Sequence, residues 1–294
     1  TAWCRPTRRP DVTTGYSLLD VGGGARLERF GTRTTDRPHP GALGSRVDAT
    51  AWATADLRFD RDRGWSGELA GTPWPIEVAG LTLELRTTEA GQVGLFPEHE
   101  AMLPWLRDRV VARVGEAANA GGTAPSVLHL FAYTGLATLA MADAGAAVAH
   151  VDASRPTVAW ARRNADLSGA ADRQIRWIVD DAVAFAEREV RRGRRYAGVV
   201  LDPPSYGHGP GRGAWRIEED LGSLLATAGR LLEPDGFVLL TAHTVGFEDD
   251  RLAADLGRAL GRTGAAVETG PLGLTTPDGR RLELGAFARS TGGA

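Results

Sequence analysis

The run Leu201-Asp202-Pro203-Pro204-Ser205-Tyr206-Gly207 carries the densest chemistry in this 294-residue chain. It follows the apolar stretch Ala197-Gly198-Val199-Val200, so an acid and two prolines stand where a buried strand must stop. Proline cannot donate to a sheet ladder, and it drives the residue before it out of helical geometry. The result is a stiff, carbonyl-rich rim at the carboxyl end of a strand, the edge where open α/β sheets bind ligands. Asp202 and the backbone carbonyls near Pro203 and Pro204 can accept the N–H groups of a flat base while Tyr206 stacks on its face. Taken alone, the dipeptide also fits a structural turn.

Three further strand ends carry candidate groups. Phe131-Ala132-Tyr133-Thr134-Gly135 follows an apolar strand and opens a helix, so its exposed N–H groups and the helix dipole favour an anion. With one glycine it lacks the dinucleotide fingerprint, and by itself it equally fits a plain strand-turn-helix. In His150-Val151-Asp152-Ala153-Ser154, Asp152 can accept both hydroxyls of an adenosine ribose. Ser154, before Arg155-Pro156, is a good helix N-cap, and the two roles are compatible. Asp180-Asp181-Ala182 ends the next strand. One acid there is an ordinary cap, whereas two suggest an acceptor for an adenine amine and require favourable partners. Asp181 is the preferred adenine contact and Asp180 the capping alternative. His243, past a later strand, fits a base, a substrate contact or an ordinary loop histidine. His129 reads as a satisfied core residue, and His99 is open. The arginines 188, 191, 192, 194 and 195 read as a solvated helix end. The Gly-rich loop Gly207–Arg216, with Arg212, Trp215 and Arg216, suits a substrate lid.

These groups need a scaffold that brings strand ends together. Strands are expected at Val127–Phe131, Ala147–Val151, Ile175–Val179, Ala197–Leu201, Gly236–Thr241, near Ala265–Val267 and at Arg281–Ala288. Helices are expected at Leu136–Asp143, Arg155–Leu167, Ala182–Arg192, Glu218–Leu232 and Asp249–Arg262. Such alternation predicts a doubly wound parallel α/β sheet ending in a hairpin. Before it, short alternating runs at Tyr16–Asp20, Arg26–Phe30, Trp74–Val78 and Leu81–Arg86 predict a small β-rich domain over residues 1–95, with 96–294 as the second domain. Residues 31–64 read as loop. Met102, Leu103, Leu106, Val110, Val111 and Val114 predict one buried helical stripe after Glu98.

Composition bounds the function. A 43% apolar fraction supplies an ample core, and a formal charge of −3 provides no global field for nucleic acid. No apolar run approaches the ~20 residues that span a bilayer, and no signal pattern opens the chain. All 34 basic residues are Arg, and Cys4 is the single cysteine, so an intrachain disulfide or a cysteine metal cluster is ruled out. A cytoplasmic location is expected. Oligomeric state is not legible.

In this order the four strand ends resemble the class I S-adenosylmethionine-dependent methyltransferases, most closely the bacterial large-subunit ribosomal RNA methyltransferases. Phe131–Gly135 is similar to their first motif, Asp152-Ala153-Ser154 to the ribose site, Asp180-Asp181-Ala182 to the adenine site, and Asp202-Pro203-Pro204-Ser205-Tyr206 to the catalytic motif. Gly94-Leu95-Phe96-Pro97-Glu98 is similar to a segment that lies over the cofactor. The likeness covers roughly residues 90–245. It implies a seven-stranded Rossmann-like sheet, S-adenosyl-L-methionine as cofactor, and ribosomal RNA as partner, with a small-molecule acceptor as the alternative. Relatives that methylate cytosine carbon five use a cysteine at the fourth or fifth strand end. Here those ends read Asp202-Pro203-Pro204-Ser205-Tyr206 and Thr241-Ala242-His243-Thr244, and Cys4 lies outside the likeness. That departure implies direct transfer. Ser205 between Pro204 and Tyr206 also departs from the contiguous Asp-Pro-Pro-Tyr of exocyclic adenine methylases, so a nitrogen acceptor fits best and oxygen stays open. No metal is expected.

Overall fold

The structure, a computed structural model, describes residues 15–208, 214–261 and 266–292. The chain forms two units: the described residues up to Leu95 with Thr275–Leu282, and Phe96–Leu274 with the chain from Glu283 onward.

In the first unit, β1 (Tyr16–Gly22), β2 (Ala25–Phe30), β3 (Arg33–Pro38), β4 (Leu57–Asp60) and β5 (Gly64–Ser66) form a sheet in that order. Helix α1 (Ala49–Ala53) lies between β3 and β4 in sequence, and β6 (Trp74–Val78) pairs with β7 (Leu81–Leu85). The expectation that 31–64 is loop is overturned by β3, α1, β4 and the start of β5 at Gly64. The buried positions of β3 are Arg33, Thr35 and Arg37, so the strand alternates polar with polar and carries no hydrophobic period. Two of those positions are partnered instead: Arg33 Nη1 donates to Thr72 O at 2.6 Å and Arg37 Nε to Glu28 Oε2 at 2.7 Å, while Tyr16 donates to Glu28 Oε1 at 3.1 Å. A buried ion pair persists when its remaining hydrogen bonds are made.

The second unit opens with a 3-10 turn, Pro97–Met102, leading into α2 (Leu103–Asn119). Leu103, Leu106 and Val110 face inward, while Val111, expected in the same stripe, is 58% exposed because one residue of helix turns it about 100° away. Strands and helices then alternate: β8 (Ser126–Leu130), α3 (Leu136–Asp143), β9 (Ala147–Asp152), α4 (Arg155–Leu167), β10 (Ile175–Val179), α5 (Ala182–Arg191) and β11 (Tyr196–Leu201). The short pair β12 (Tyr206–His208) and β13 (Ala214–Arg216) precedes α6 (Ile217–Leu231), β14 (Leu232–Ala242), α7 (Asp249–Leu260), β15 (Glu268–Thr275) and β16 (Arg281–Ser290). The seven-stranded sheet runs β10-β9-β8-β11-β14-β16-β15, with β16 antiparallel to β14. The strand expected near Ala265–Val267 begins instead at Glu268, residue 265 lying outside the described residues. Gly270 and Pro271 mask β15 in sequence, and its edge position tolerates the missing donor.

Because the strand order turns outward on both sides of β8 and β11, the crevice beyond their carboxyl ends is open. Side chains alternate across the sheet. Leu128 and Leu130 enter the core with Phe185 of α5, Leu221 and Leu225 of α6 and Leu252 of α7. His129, from the opposite face, meets Thr138 of α3 at 2.7 Å from Nδ1, and the same hydroxyl lies 2.9 Å from His150 Nδ1. One hydroxyl can donate to one imidazole and accept from the other, so both Nδ1 atoms are partnered while the rings are neutral. His129 is thus the core residue its apolar strand implies.

Burial pushes His129 down to about 4 and His150 well below its ordinary value. Between pH 6.5, the ordinary histidine value, and about 4, the unfolded chain therefore binds more protons than the folded one. Stability present above pH 6.5 is expected to fall as pH is lowered through that window, by on the order of 3 kcal/mol for His129. Nitrogen-15 NMR at pH 5.5 should report neutral rings at both positions, and a charged ring at either would refute this assignment.

Candidate functional site

Phe131–Gly135 must turn from β8 into α3 within a few residues, and it does so through left-handed backbone. Phe131 has φ 56°, Tyr133 49° and Gly135 92°. For side-chain-bearing residues such geometry is costly and persists only where surrounding bonds hold it. They do: Ala132 N–H donates to Val151 O at 3.0 Å, Asn164 Nδ2 to Thr134 O at 2.9 Å, and Tyr133 N–H to Asp152 Oδ2 at 2.9 Å. Asp152 Oδ1 accepts from Ser154 N–H at 2.9 Å. Burial raises the Asp152 carboxyl while these two amide donors lower it, and the net shift is upward. Each oxygen retains acceptor capacity beyond one donor.

The turn forms one wall of a cavity of about 400 Å³, within the range of small-molecule sites. Phe131, Tyr133, Asp152, Ala153 and Ser154 line it together with Asp181, Ala182, Asp202, Pro203 and Pro204. The structure therefore brings ten sequence-flagged residues to one space. Ala132 and Thr134 are buried behind the wall, and Gly135 starts the helix. Ser154 caps α4 through Thr157 N–H, as its position before Arg155-Pro156 implies.

Two expectations need correction. The cap of α5 is Asp181, whose Oδ1 accepts from Ala184 N–H at 2.8 Å, and Asp180 instead pairs with Arg188 and does not line the cavity. The cap falls to the residue with extended backbone directly before the helix, so Asp181 both caps and faces the cavity. Tyr206 is 53% exposed and also absent from the lining. In the β12–β13 pair Tyr206 stands opposite Arg216, and Gly207 opposite Trp215. Alternation then turns Gly207 and Trp215 to the cavity and Tyr206 away. Trp215 packs 5.6 Å from the Phe131 ring, and its Nε1–H donates to Pro204 O at 2.6 Å. That carbonyl thus has one lone pair left. Arg212 and Cys4 lie outside the described residues. Within the arginine run, Arg192 pairs with Glu189, and Arg195 donates to Leu232 O.

Sequence reasoning underweighted Phe96, which lines the cavity, and the two histidines that meet at Asp202. His99 Nε2 lies 3.0 Å from His243 Nε2, and these nitrogens lie 3.8 and 3.5 Å from Asp202 Oδ1. Thr241 donates to the same oxygen at 2.6 Å. Burial opposes ionisation of Asp202, but His99, His243 and the Thr241 hydroxyl outweigh it and hold the carboxyl well below its usual range. Burial also opposes charge on His243, yet Asp202, Glu98 and the Leu284 carbonyl push it up to about 9. His99 is lowered, first by burial, with the adjacent His243 adding to it and the Asp202 and Glu98 carboxylates opposing. No local signal links positions 99 and 243; only the fold joins them.

No protein-family profile matches the chain. It is 33% identical to the SAM-dependent methyltransferase from Agrobacterium tumefaciens, whose crystal structure superposes with a TM-score of 0.85 over 96% of this chain and 93% of that one. The ribosomal RNA large subunit methyltransferase K/L of Methylococcus capsulatus is 38% identical over 128 residues, 43% of this chain. The ribosomal RNA large subunit methyltransferase K of Neisseria meningitidis serogroup B is 30% identical over 188 residues, 63% of this chain. The chain spans only 17% and 50% of those two proteins.

At Gly135 an added Cβ would sit 3.3 Å from the Ala161 Cβ, on backbone that L side chains rarely adopt. Gly135→Ala is expected to lose about 1–2 kcal/mol of stability in urea denaturation. An unchanged midpoint would mean that the turn is not held as described.

Proposed function

The chain belongs to the S-adenosylmethionine-dependent methyltransferases, and on that premise we propose that it methylates a nucleobase nitrogen of ribosomal RNA by direct transfer. The observation that carries this reading is the convergence of Asp152, Asp181 and Asp202-Pro203-Pro204 on one cavity. The donor set suits the cofactor. Asp152 offers one remaining acceptor site on each oxygen to the two ribose hydroxyls, and Asp181, with Oδ1 used in its cap, offers Oδ2 to the adenine amine. The amide end of α5 at Ala182 adds a donor. S-adenosyl-L-methionine supplies an activated methyl on a sulfonium with its own leaving group, so positioning the acceptor provides most of the remaining rate.

The acceptor base would lie against Pro203 and Pro204, hydrogen-bonded to Asp202 and the remaining carbonyl lone pairs, with Trp215 as its stacking face. Tyr206, half exposed beside it, would stack on a neighbouring nucleotide outside the cavity. The fourth and fifth strand ends, Asp202-Pro203-Pro204-Ser205-Tyr206 and Thr241-Ala242-His243-Thr244, carry no cysteine, which supports transfer without a covalent adduct. The ribosomal RNA assignment draws on the named functions of the partial relatives. Among the described residues no helix is long and apolar enough to cross a membrane. We propose a domain boundary near residue 95, where the chain divides into its two units, and a cytoplasmic location in keeping with ribosomal RNA as the substrate.

Calorimetry should find S-adenosylmethionine binding, weakened by about 1–3 kcal/mol, roughly 5- to 150-fold, in folded Asp152→Ala. Unchanged affinity would remove Asp152 from the ribose contact. For the acceptor, transfer of labelled methyl to large-subunit RNA from a strain lacking the gene is expected, with RNA affinity falling steeply as salt rises. Trp215→Ala should weaken RNA binding or turnover and leave cofactor affinity nearly unchanged. Failure to label that RNA, with labelling of a small metabolite at salt-independent affinity, would establish the small-molecule alternative.

A further inference from the structure

Three segments far apart in sequence deliver one ligand-type atom each to the same point beside the cavity: His99 from the 3-10 turn, Asp202 from the end of β11 and His243 from the end of β14. Their separations of 3.0, 3.5 and 3.8 Å bracket the edge of about 3.4 Å expected for tetrahedral bonds of about 2.1 Å. A hydrogen bond accounts for the shortest of these edges only, since the other two are too long for good ones.

The outer contacts point the same way. His243 Nδ1 lies 2.8 Å from Leu284 O, and a carbonyl can only accept, so Nδ1 carries the proton and Nε2 is directed at His99 and Asp202. Glu98 Oε1 stands 3.6 Å from that same Nδ1. A carbonyl and a carboxylate behind the far nitrogen are the usual supports of a metal-bound imidazole. The Phe96 ring stacks on His243 at 5.6 Å and meets His99 at 5.7 Å, limiting rotation of both rings.

Glu98 supplies the independent observation. It is 4% exposed, and its Oε2 is buried without a hydrogen-bond partner. Two carboxylates and two imidazoles thus share a pocket in which Glu98 is buried and the other three groups are half-buried. A proton on one imidazole offsets one carboxylate, whereas a divalent cation offsets both, and buried charge is retained where it is paired or binds metal.

We infer that His99 Nε2, His243 Nε2 and Asp202 Oδ1 bind one divalent transition-metal ion. This departs from the metal-free expectation, and it stands independently of the acceptor assignment. Two imidazoles and one carboxylate favour the zinc, cobalt and ferrous class over magnesium or calcium. Three protein ligands leave a coordination position open, and Asp202 and His243 line the cavity, so the open side faces the acceptor space. There the ion would act as a Lewis acid on an acceptor oxygen or nitrogen. Its binding displaces the proton shared between the two Nε2 atoms.

The test uses tag-free protein, stripped with chelator and titrated with Zn2+, with Co2+, and anaerobically with Fe2+. One ion per chain is expected, with a Co2+ visible spectrum of nitrogen–oxygen ligation. His243→Ala and His99→Ala should abolish binding, and Glu98→Gln, which keeps the side-chain volume, should weaken it about 10- to 100-fold. S-adenosylmethionine affinity, measured in parallel, separates loss of metal from loss of fold. Should the histidine variants fail to fold, proton NMR of Co2+-loaded wild type replaces them, with two paramagnetically shifted imidazole N–H signals expected. No binding of any of the three ions, binding indifferent to both histidines, or no shifted imidazole signals would overturn the site.

Discussion

The hydrogen bonds from Tyr133 and Ser154 amides to the Asp152 carboxylate are the constraint on which the rest of the site depends. A turn with three positive φ angles, two of them at aromatic residues, does not hold itself; left alone it would relax toward ordinary backbone. Asp152 grips it from the neighbouring strand, and in doing so orients its own remaining lone pairs outward. The same carboxylate thus holds the wall and, in the proposed reading, would furnish the ribose contact. Removing it would loosen the turn as well as delete an acceptor, which is why its effects on stability and on binding have to be measured separately.

Behind that wall, the His129–Thr138–His150 chain joins β8, α3 and β9, the three elements from which the turn and Asp152 project. Neutral imidazoles suit this place because each can both donate and accept, so a single hydroxyl partners one nitrogen of each ring. The polar chain replaces part of an apolar core with bonds of defined direction. Leu128 and Leu130 on the opposite side of the same strand supply the apolar packing that such a network cannot.

The strand ends were legible in sequence because they are chemical discontinuities: apolar runs stopped by Asp152, Asp180, or Asp202 with two prolines. Helix Arg155–Leu167 was legible from its Ser154 cap and the proline in its first turn, and Leu136–Asp143 from its place between two apolar strand runs. Strand β3 was not, because its buried face is Arg33, Thr35 and Arg37, the last paired with Glu28, and a pattern search reads burial only through hydrophobicity. The exchange of Tyr206 for Trp215 was hidden by register: the facing of two aromatic rings followed from which residue of a three-residue strand opposes which. The meeting of His99, Asp202 and His243 depends on strand order, which no local signal encodes.

Four acids at one rim would repel if they were treated alike, and the structure compensates each by a different means. Asp152 is met by amides, Asp180 by Arg188, Asp181 by the amide end of α5, and Asp202 by Thr241 and two histidines. These compensations differ in how much acceptor capacity they leave. Asp180 is turned to its arginine and faces no cavity, whereas the other three line the same space. Charge on the rim is therefore sorted by partner: Asp180 turns to Arg188, and the acids held by amides, hydroxyl or imidazole keep lone pairs on the cavity side. That sorting, more than the number of acids, makes the crevice beyond β8 and β11 a site.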